Sequence, residues 1–284
     1  MAHKNRTYLL ALLPFALIVL VFELVPLAVV VIRSFFPAGD IGFTLEHYAA
    51  ILAKKLYRDA VLNSVLLALT SSLIGITAAF FGAKATYHSS PKVKGFFMSL
   101  LNMTSNFAGI PLAFAYIILL GNAGVLVLLG KSWGIEALAN YNVYSFSGLL
   151  LTYIYFQIPM ATILLLPAFE ALRREWRESV NLLGGGSFTY WFRVGIPVLL
   201  PSLLGTFSIL FSNAIAAYAT AYALLGGNFS LLPIRISEQF VGDVVQRKEF
   251  GSALAVVLML LMVAAVAVNN YVLKKNRAGG NDHG

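Results

Sequence analysis

The chain contains no cysteine, which excludes disulfides, thiolate metal sites and cysteine nucleophiles together. Charge is nearly as scarce. Asp, Glu, Lys and Arg make up 11% of the residues, against roughly a quarter in soluble domains. Of the four histidines, His3, His88 and His283 fall in loops or near the ends and His47 in a further loop, so no metal cluster is expected. No paired carboxylates and no Ser/His/Asp set share one face, which argues against a membrane enzyme. A GxxxxGK[ST] phosphate loop is missing as well. Gly184-Gly185-Gly186 lacks the lysine, strand and helix of a phosphate cradle, so the chain is expected to bind no cofactor and to supply no ATP chemistry itself.

What remains is apolar. Hydrophobic residues make up 59% of the chain and fall in blocks near the roughly 20 residues that cross a bilayer as a helix. The pattern predicts an all-α membrane protein, one transmembrane domain over residues 1–284. Its six spans run roughly over 8–32, 60–81, 97–120, 148–168, 199–225 and 252–273. The first follows His3, Lys4 and Arg6, as a signal peptide would. Its apolar core exceeds the 7–15 residues of such a signal and no small-residue cleavage site follows, so it reads as a retained helix. The net charge of +8 sits in short clusters between apolar runs, which points to a lipid bilayer and not to nucleic acid.

The Lys/Arg bias of the connecting segments sets the orientation. With the N-terminus inside, about 12 basic residues lie inside against about 8 outside; Asp40, Glu46, Asp59, Glu136, Glu238, Asp243 and Glu249 all fall outside. Both termini and the loop 169–197 are then cytoplasmic. Among the outer segments, Thr44–Leu56 has a helical face of Tyr48, Ile51, Leu52 and Leu56. Asn122–Tyr144 carries Trp133, Tyr141 and Tyr144, which suit the membrane interface.

The loop 169–197 has a helical stripe of Leu172, Trp176, Val180 and Leu183, with Arg173, Arg174 and Arg177 on other faces. Glycines 184–186 suit a helix C-cap, Ser187 an N-cap for a second short helix, and Pro197 a bend where the chain re-enters the bilayer. The product is a helix–turn–helix elbow. On these grounds alone it either lies on lipid headgroups or meets a partner.

Its spacing is specific. Glu178-Ser179-Val180, three residues, Gly184, nine residues, then Val194-Gly195-Ile196-Pro197 resembles the EAA loop of permease subunits in ATP-binding-cassette (ABC) importers. Ser179 and Val180 stand where that pattern has alanines, and Ile196 where it has leucine. Further segments are similar to the spermidine/putrescine branch: Asn63-Ser64, Gly109-Ile110-Pro111, Tyr153 to Pro159 and Leu232-Pro233-Ile234. The resemblance implies the type I importer permease fold in a bacterial inner membrane. It also implies a second homologous permease, two ATPase subunits carrying ATP and Mg, and an extracytoplasmic solute-binding protein. Glu178, Ser179, Val180, Leu183 and Gly184 would contact the ATPase. Gly184 would let the two short helices meet closely, and Arg173, Arg174 and Arg177 would add charge contacts. The implied cargo is a polyamine or a related solute such as aminoethylphosphonate, iron(III) or thiamine.

Polar residues inside the spans are pathway candidates by default. Glu23 reads either as a cation contact or as an interfacial carboxylate. Ser208, Ser212, Asn213 and Thr220 give the fifth span polar faces, Asn106 marks the third, and Tyr153 and Gln157 the fourth. Lining a pathway and packing helices together both fit them. The competing class is a stand-alone ion-coupled transporter or channel. It usually places more ionisable groups at the midplane than Glu23 supplies.

Overall fold

The computed structural model describes residues 12–39, 42–241 and 246–281. His3, Lys4, Arg6, the expected start of the first span at residue 8, Asp40, Asp243 and His283 lie outside the described residues. Everything regular among the described residues is helical. Six helices are long and apolar enough to cross a membrane. Their exposed Leu, Ile, Val and Phe side chains are what a helix presents when its solvent is hydrocarbon.

Helix α1 (Leu12–Arg33) packs along the last helix, α13 (Lys248–Asn281). After the short α2 (Glu46–Ala53) comes α3 (Lys55–Tyr87), whose 33 residues give about 50 Å of helix. Helix α4 (Pro91–Asn106) leads into α5 (Ile110–Leu120), and α6 (Val125–Trp133) and α7 (Glu136–Ala139) follow. Helix α8 (Phe146–Glu170) is the centre of the bundle and lies against α3, α4 and α10 (Ser187–Ala216). Between them stands α9 (Arg174–Leu182). Helices α11 (Ala219–Leu225) and α12 (Leu232–Phe240) close the far end.

Small and polar residues make the α3–α8 contact close. Gly75 leaves room for Gln157: a Cβ there would sit 3.1 Å from its Oε1. The Gln157 amide donates to Ser71 Oγ at 2.9 Å in a fully buried setting. The far end is tied by the residues that open the second span. Asn63 Nδ2 donates to Ser230 O at 3.0 Å, and Ser64 Oγ accepts from the Leu232 amide at 2.8 Å. Leu232 and Ile234 are fully buried beside them. The expected outer helix forms as α2 and buries Ile51, whereas Leu52 and Leu56 stay exposed, so half of its anticipated face is not a packing face.

Two expected spans are broken. The third, read over 97–120, stops at Asn106 and restarts at Ile110, with Gly109 at φ +74°. That left-handed geometry is open to glycine, and Pro111 cannot donate back into the preceding turn. The apolar stretch that meets the length of a span is therefore Ile110–Trp133. The fifth, read over 199–225, breaks at Ala217 and Tyr218.

Candidate functional site

At one end of the bundle the chain leaves α8 at Glu170 and turns through residues 171–173 before α9. The elbow is fixed at its base. Lys94 pairs with Glu170, the Tyr87 hydroxyl donates to Leu172 O at 3.4 Å, and Leu172 is buried. Trp191 packs between Phe80 and Phe169 at ring separations of 5.6 and 6.2 Å. Lys84 Nζ lies 4.4 Å over the Trp191 ring, a cation–π contact.

Helix α9 ends in a Schellman motif. The Gly184 amide donates to Asn181 O at 3.0 Å and the Gly185 amide to Val180 O at 2.9 Å, with Gly184 at φ +76°. The expected glycine cap is thus present, but the division of labour between the glycines is different. A Cβ on Gly184 would meet nothing within 4 Å, whereas one on Gly185 would lie 2.7 Å from Val180 Cγ1 and 3.2 Å from Thr189 Cγ2. Gly184 supplies the backbone turn, and Gly185 supplies the close approach of the two short helices. Ser187 is the first helical residue rather than the cap, which falls at Gly186 with no side-chain acceptor. Pro197 does not interrupt the helix. The helix runs through a π turn at Trp191–Gly195, where the Ile196 amide reaches back to Trp191 O, and this register shift accommodates the proline two residues on.

The apolar stripe is only partly as expected, because the turn at 171–173 removes Leu172 from the helix. Trp176 is half-buried against the bundle and Val180 half-buried within the elbow. Leu182 and Leu183 are each 88% exposed and Phe188 74%, with the Phe188 and Phe192 rings 4.2 Å apart. Leu182 and Phe188 are the tip residues that helical spacing missed, and the run of aromatics after Ser187 was the available signal. Glu178 pairs with Arg174 at 3.3 Å, and Ser179 Oγ donates to Glu175 O at 2.9 Å. Arg173, Arg174, Arg177 and Glu178 line a cavity of about 490 Å³ between α9 and the end of α3.

Deeper in the bundle the two broken helices meet. Thr220 Oγ1 accepts from the Gly109 amide at 3.0 Å and lies 3.3 Å from Gly109 O. The Tyr153 hydroxyl donates to Ala217 O at 2.7 Å. The two breaks therefore lie together, beside Tyr153 and Tyr155 of α8, with their backbone groups held by side chains as a low-dielectric interior demands. Thr220→Val, nearly isosteric, strands the Gly109 amide and is expected to cost about 1–3 kcal/mol. The check is the thermal unfolding midpoint of the detergent-solubilised chain; an unchanged midpoint would show that this link carries no energy.

These contacts sort the polar residues of the spans. Tyr153, Gln157, Ser208 and Thr220 are buried in helix–helix contacts; the Tyr153 hydroxyl, the Gln157 amide nitrogen and Thr220 Oγ1 bond to other segments and Ser208 Oγ to its own helix, while Gln157 Oε1 has no partner among the described residues. Asn106 and Asn213 are exposed and Ser212 is half-buried beside the breaks. With them go Phe107, Tyr116 and Tyr155, whose rings lie 6.1–6.5 Å apart about Tyr155. Glu23 is exposed in a π turn at Leu20–Leu24 that precedes Pro26. Among the described residues no group of His, Asp and Glu is placed to hold a metal.

Among the described residues, six stretches long and apolar enough to cross a membrane, with an anchored elbow at one end, give a multi-pass membrane protein. No family model matches the chain. Its sequence relatives are permease proteins of transport systems. It is 29% identical over 160 residues to the thiamine transport system permease protein ThiP of Escherichia coli, covering 56% of this chain and 30% of ThiP. It is 24% identical to the sulfoquinovosyl glycerol transport system permease protein SmoG of Agrobacterium fabrum, covering 91% of this chain and 87% of SmoG. The matched segment thus spans under a third of the length of ThiP, whereas the match to SmoG spans most of that protein. Among solved structures, a chain of a bacterial ABC transporter involved in the import of alginate matches with a TM-score of 0.75 at 16% identity, covering 96% of this chain and 98% of that one. The fold is that of the membrane-spanning permease subunits of ABC importers.

Proposed function

We propose that this chain is the permease subunit of a binding-protein-dependent ABC importer in a bacterial inner membrane. It forms the solute pathway with a second, homologous permease and takes its driving force from two ATPase subunits. The elbow carries the reading. A tip of Leu182, Leu183 and Phe188 stands out from a base locked to three helices, which is the form of a part that receives a push from a partner and passes it inward. Residues 169–197 then face the cytoplasm, in accord with the bias of basic residues, and both termini lie on that side. The broken helices supply the pathway wall, with Asn106, Ser212, Asn213 and Tyr155 facing the second permease.

A solute-binding protein on the opposite side is supported by the matching alginate transporter, which has been solved in complex with an alginate-bound periplasmic protein. The cargo is a small solute, a polyamine by sequence resemblance; thiamine, the solute in the name of ThiP, is the leading member of the related group. Two measurements test this. Uptake into cells carrying the complete system should stop when the ATPase partner's phosphate loop is inactivated; uptake that continued would leave an ion-coupled transporter as the reading. Titrating the purified solute-binding protein with spermidine, putrescine, thiamine, aminoethylphosphonate and iron(III) identifies the cargo, and no binding to any of the five removes this group.

A further inference from the structure

We infer that the cavity behind the elbow holds the phosphate group of an anionic phospholipid, so that the headgroup becomes a wedge between α9 and the bundle. The cavity, about 490 Å³, is within the size range of sites for small ligands. Three arginines line it, Arg173, Arg174 and Arg177, against one carboxylate, Glu178, which Arg174 already engages at 3.3 Å. That leaves Arg173 and Arg177 with no ion-pair partner among the described residues. Arginine forks match phosphate oxygens bidentately.

The backbone adds to this charge. Helix α9 begins at the cavity, with Arg173 as its N-cap and no side chain accepting from its first-turn amides. An uncapped helix start presents free N–H donors and partial positive charge to an anion.

Position selects the lipid over other phosphates. Tyr87, the last residue of the crossing helix α3, and Trp191, in the first turns of the crossing helix α10, both line the cavity. Aromatic residues at the ends of spans mark the headgroup level of a bilayer, and basic clusters at that level recognise anionic headgroups. The exposed tip residues Leu182, Leu183 and Phe188 are not part of the lining; Arg173, Arg174, Arg177 and Glu178, which the family resemblance gives to the ATPase, are, and on this proposal the unpaired arginines among them serve the headgroup.

The test uses the full chain in nanodiscs of phosphatidylcholine, with and without phosphatidylglycerol, compared with Arg173→Gln/Arg177→Gln. Native mass spectrometry reads retained lipid and a thermal melt reads the stabilisation that binding confers. Phosphatidylglycerol should be retained in preference to phosphatidylcholine, and retention should fall about tenfold or more in the double variant. Arg173→Lys/Arg177→Lys, which keeps the charge and loses the fork, should fall between. Equal retention by wild type and double variant would overturn the assignment. So would an equal rise in melting midpoint from inorganic phosphate in pure phosphatidylcholine discs, because the site would then serve free phosphate. A loss of ATPase co-purification with no change in lipid retention would give the arginines to the protein partner and also sink the lipid reading. Should the glutamine variant fail to fold, the wild-type preference between the two lipids decides alone: no preference, no site.

Discussion

Replacing Leu182 and Phe188 together by glutamate is expected to detach the chain from its ATPase partner while leaving it inserted and folded. Both side chains are largely exposed, at 88% and 74%, and the Phe188 ring rests on Phe192, itself exposed at 58%, so their loss should change the stability of the permease by no more than about 1 kcal/mol. On the proposed function they are the apolar anchors by which the elbow would seat in the ATPase. Central anchors of an interface typically cost at least about 2 kcal/mol each when removed, and placing a carboxylate in an apolar cleft adds its own desolvation cost. The two changes should therefore weaken association by roughly a thousandfold. Co-purification of the tagged chain with the ATPase, set against its yield in the membrane fraction, checks this. Retained ATPase would mean that the tip is not the docking element. Glu175→Gln, an exposed change on the same helix away from the tip, serves as the control.

Gly148→Ala should be the most damaging single methyl group in the chain. The segment before α8 folds back over its own first turn, and a Cβ on Gly148 would sit 2.7 Å from Val143 Cα and closer still to that residue's carbonyl. The obstacle is backbone, and Val143 is itself buried at 1% exposure in the core with Leu67, Leu120 and Leu149. Neither side can yield as a side-chain end would, so the cost should reach about 3 kcal/mol or more, at the upper end for overpacking. A clear fall in the melting midpoint and in the yield of monodisperse chain is the expected result. A variant that melts with the wild type would show that the 141–145 segment can lift off α8 at little cost. Gly95→Ala, where a Cβ meets nothing within 4 Å, should leave the midpoint within experimental error.

The sequence carried the membrane class and the elbow because both rest on local chemistry. A run of apolar residues long enough to cross hydrocarbon is legible wherever it packs, and three glycines after an amphipathic run announce a helix end. The broken helices were harder for different reasons. Gly109-Ile110-Pro111 contains the glycine and the proline that make the first break, yet the apolar run continues through it. The second break, at Ala217 and Tyr218, has neither residue type; its geometry is held from outside, by the Tyr153 hydroxyl on Ala217 O. Pairings between residues more than 60 positions apart leave no mark in local spacing. The same limit hid the roles of the glycines in the elbow. Choosing between Gly184 and Gly185 requires knowing that Val180 and Thr189 close on the second of them. It also left Gln157 and Tyr153 open between packing and lining, and their bonds to Ser71 and Ala217, distant in the chain, are contacts that local spacing does not show.

The π turn at Trp191–Gly195 gives the elbow an unusual joint. Where a straight α-helix would carry a load along its own axis into α10, the shifted register leaves a softer segment directly above the re-entry point. Trp191 fills the space over Gly195, where a Cβ would lie 2.6 Å from the ring, and the same ring touches Phe80 of α3 and Phe169 of α8. On the proposed function, a displacement of the tip would be handed sideways, through an indole acting as a gear tooth, to the two central helices instead of being pushed down a single rod. Stiffness at that tooth, more than the length of the lever, would set how far the bundle turns for each stroke.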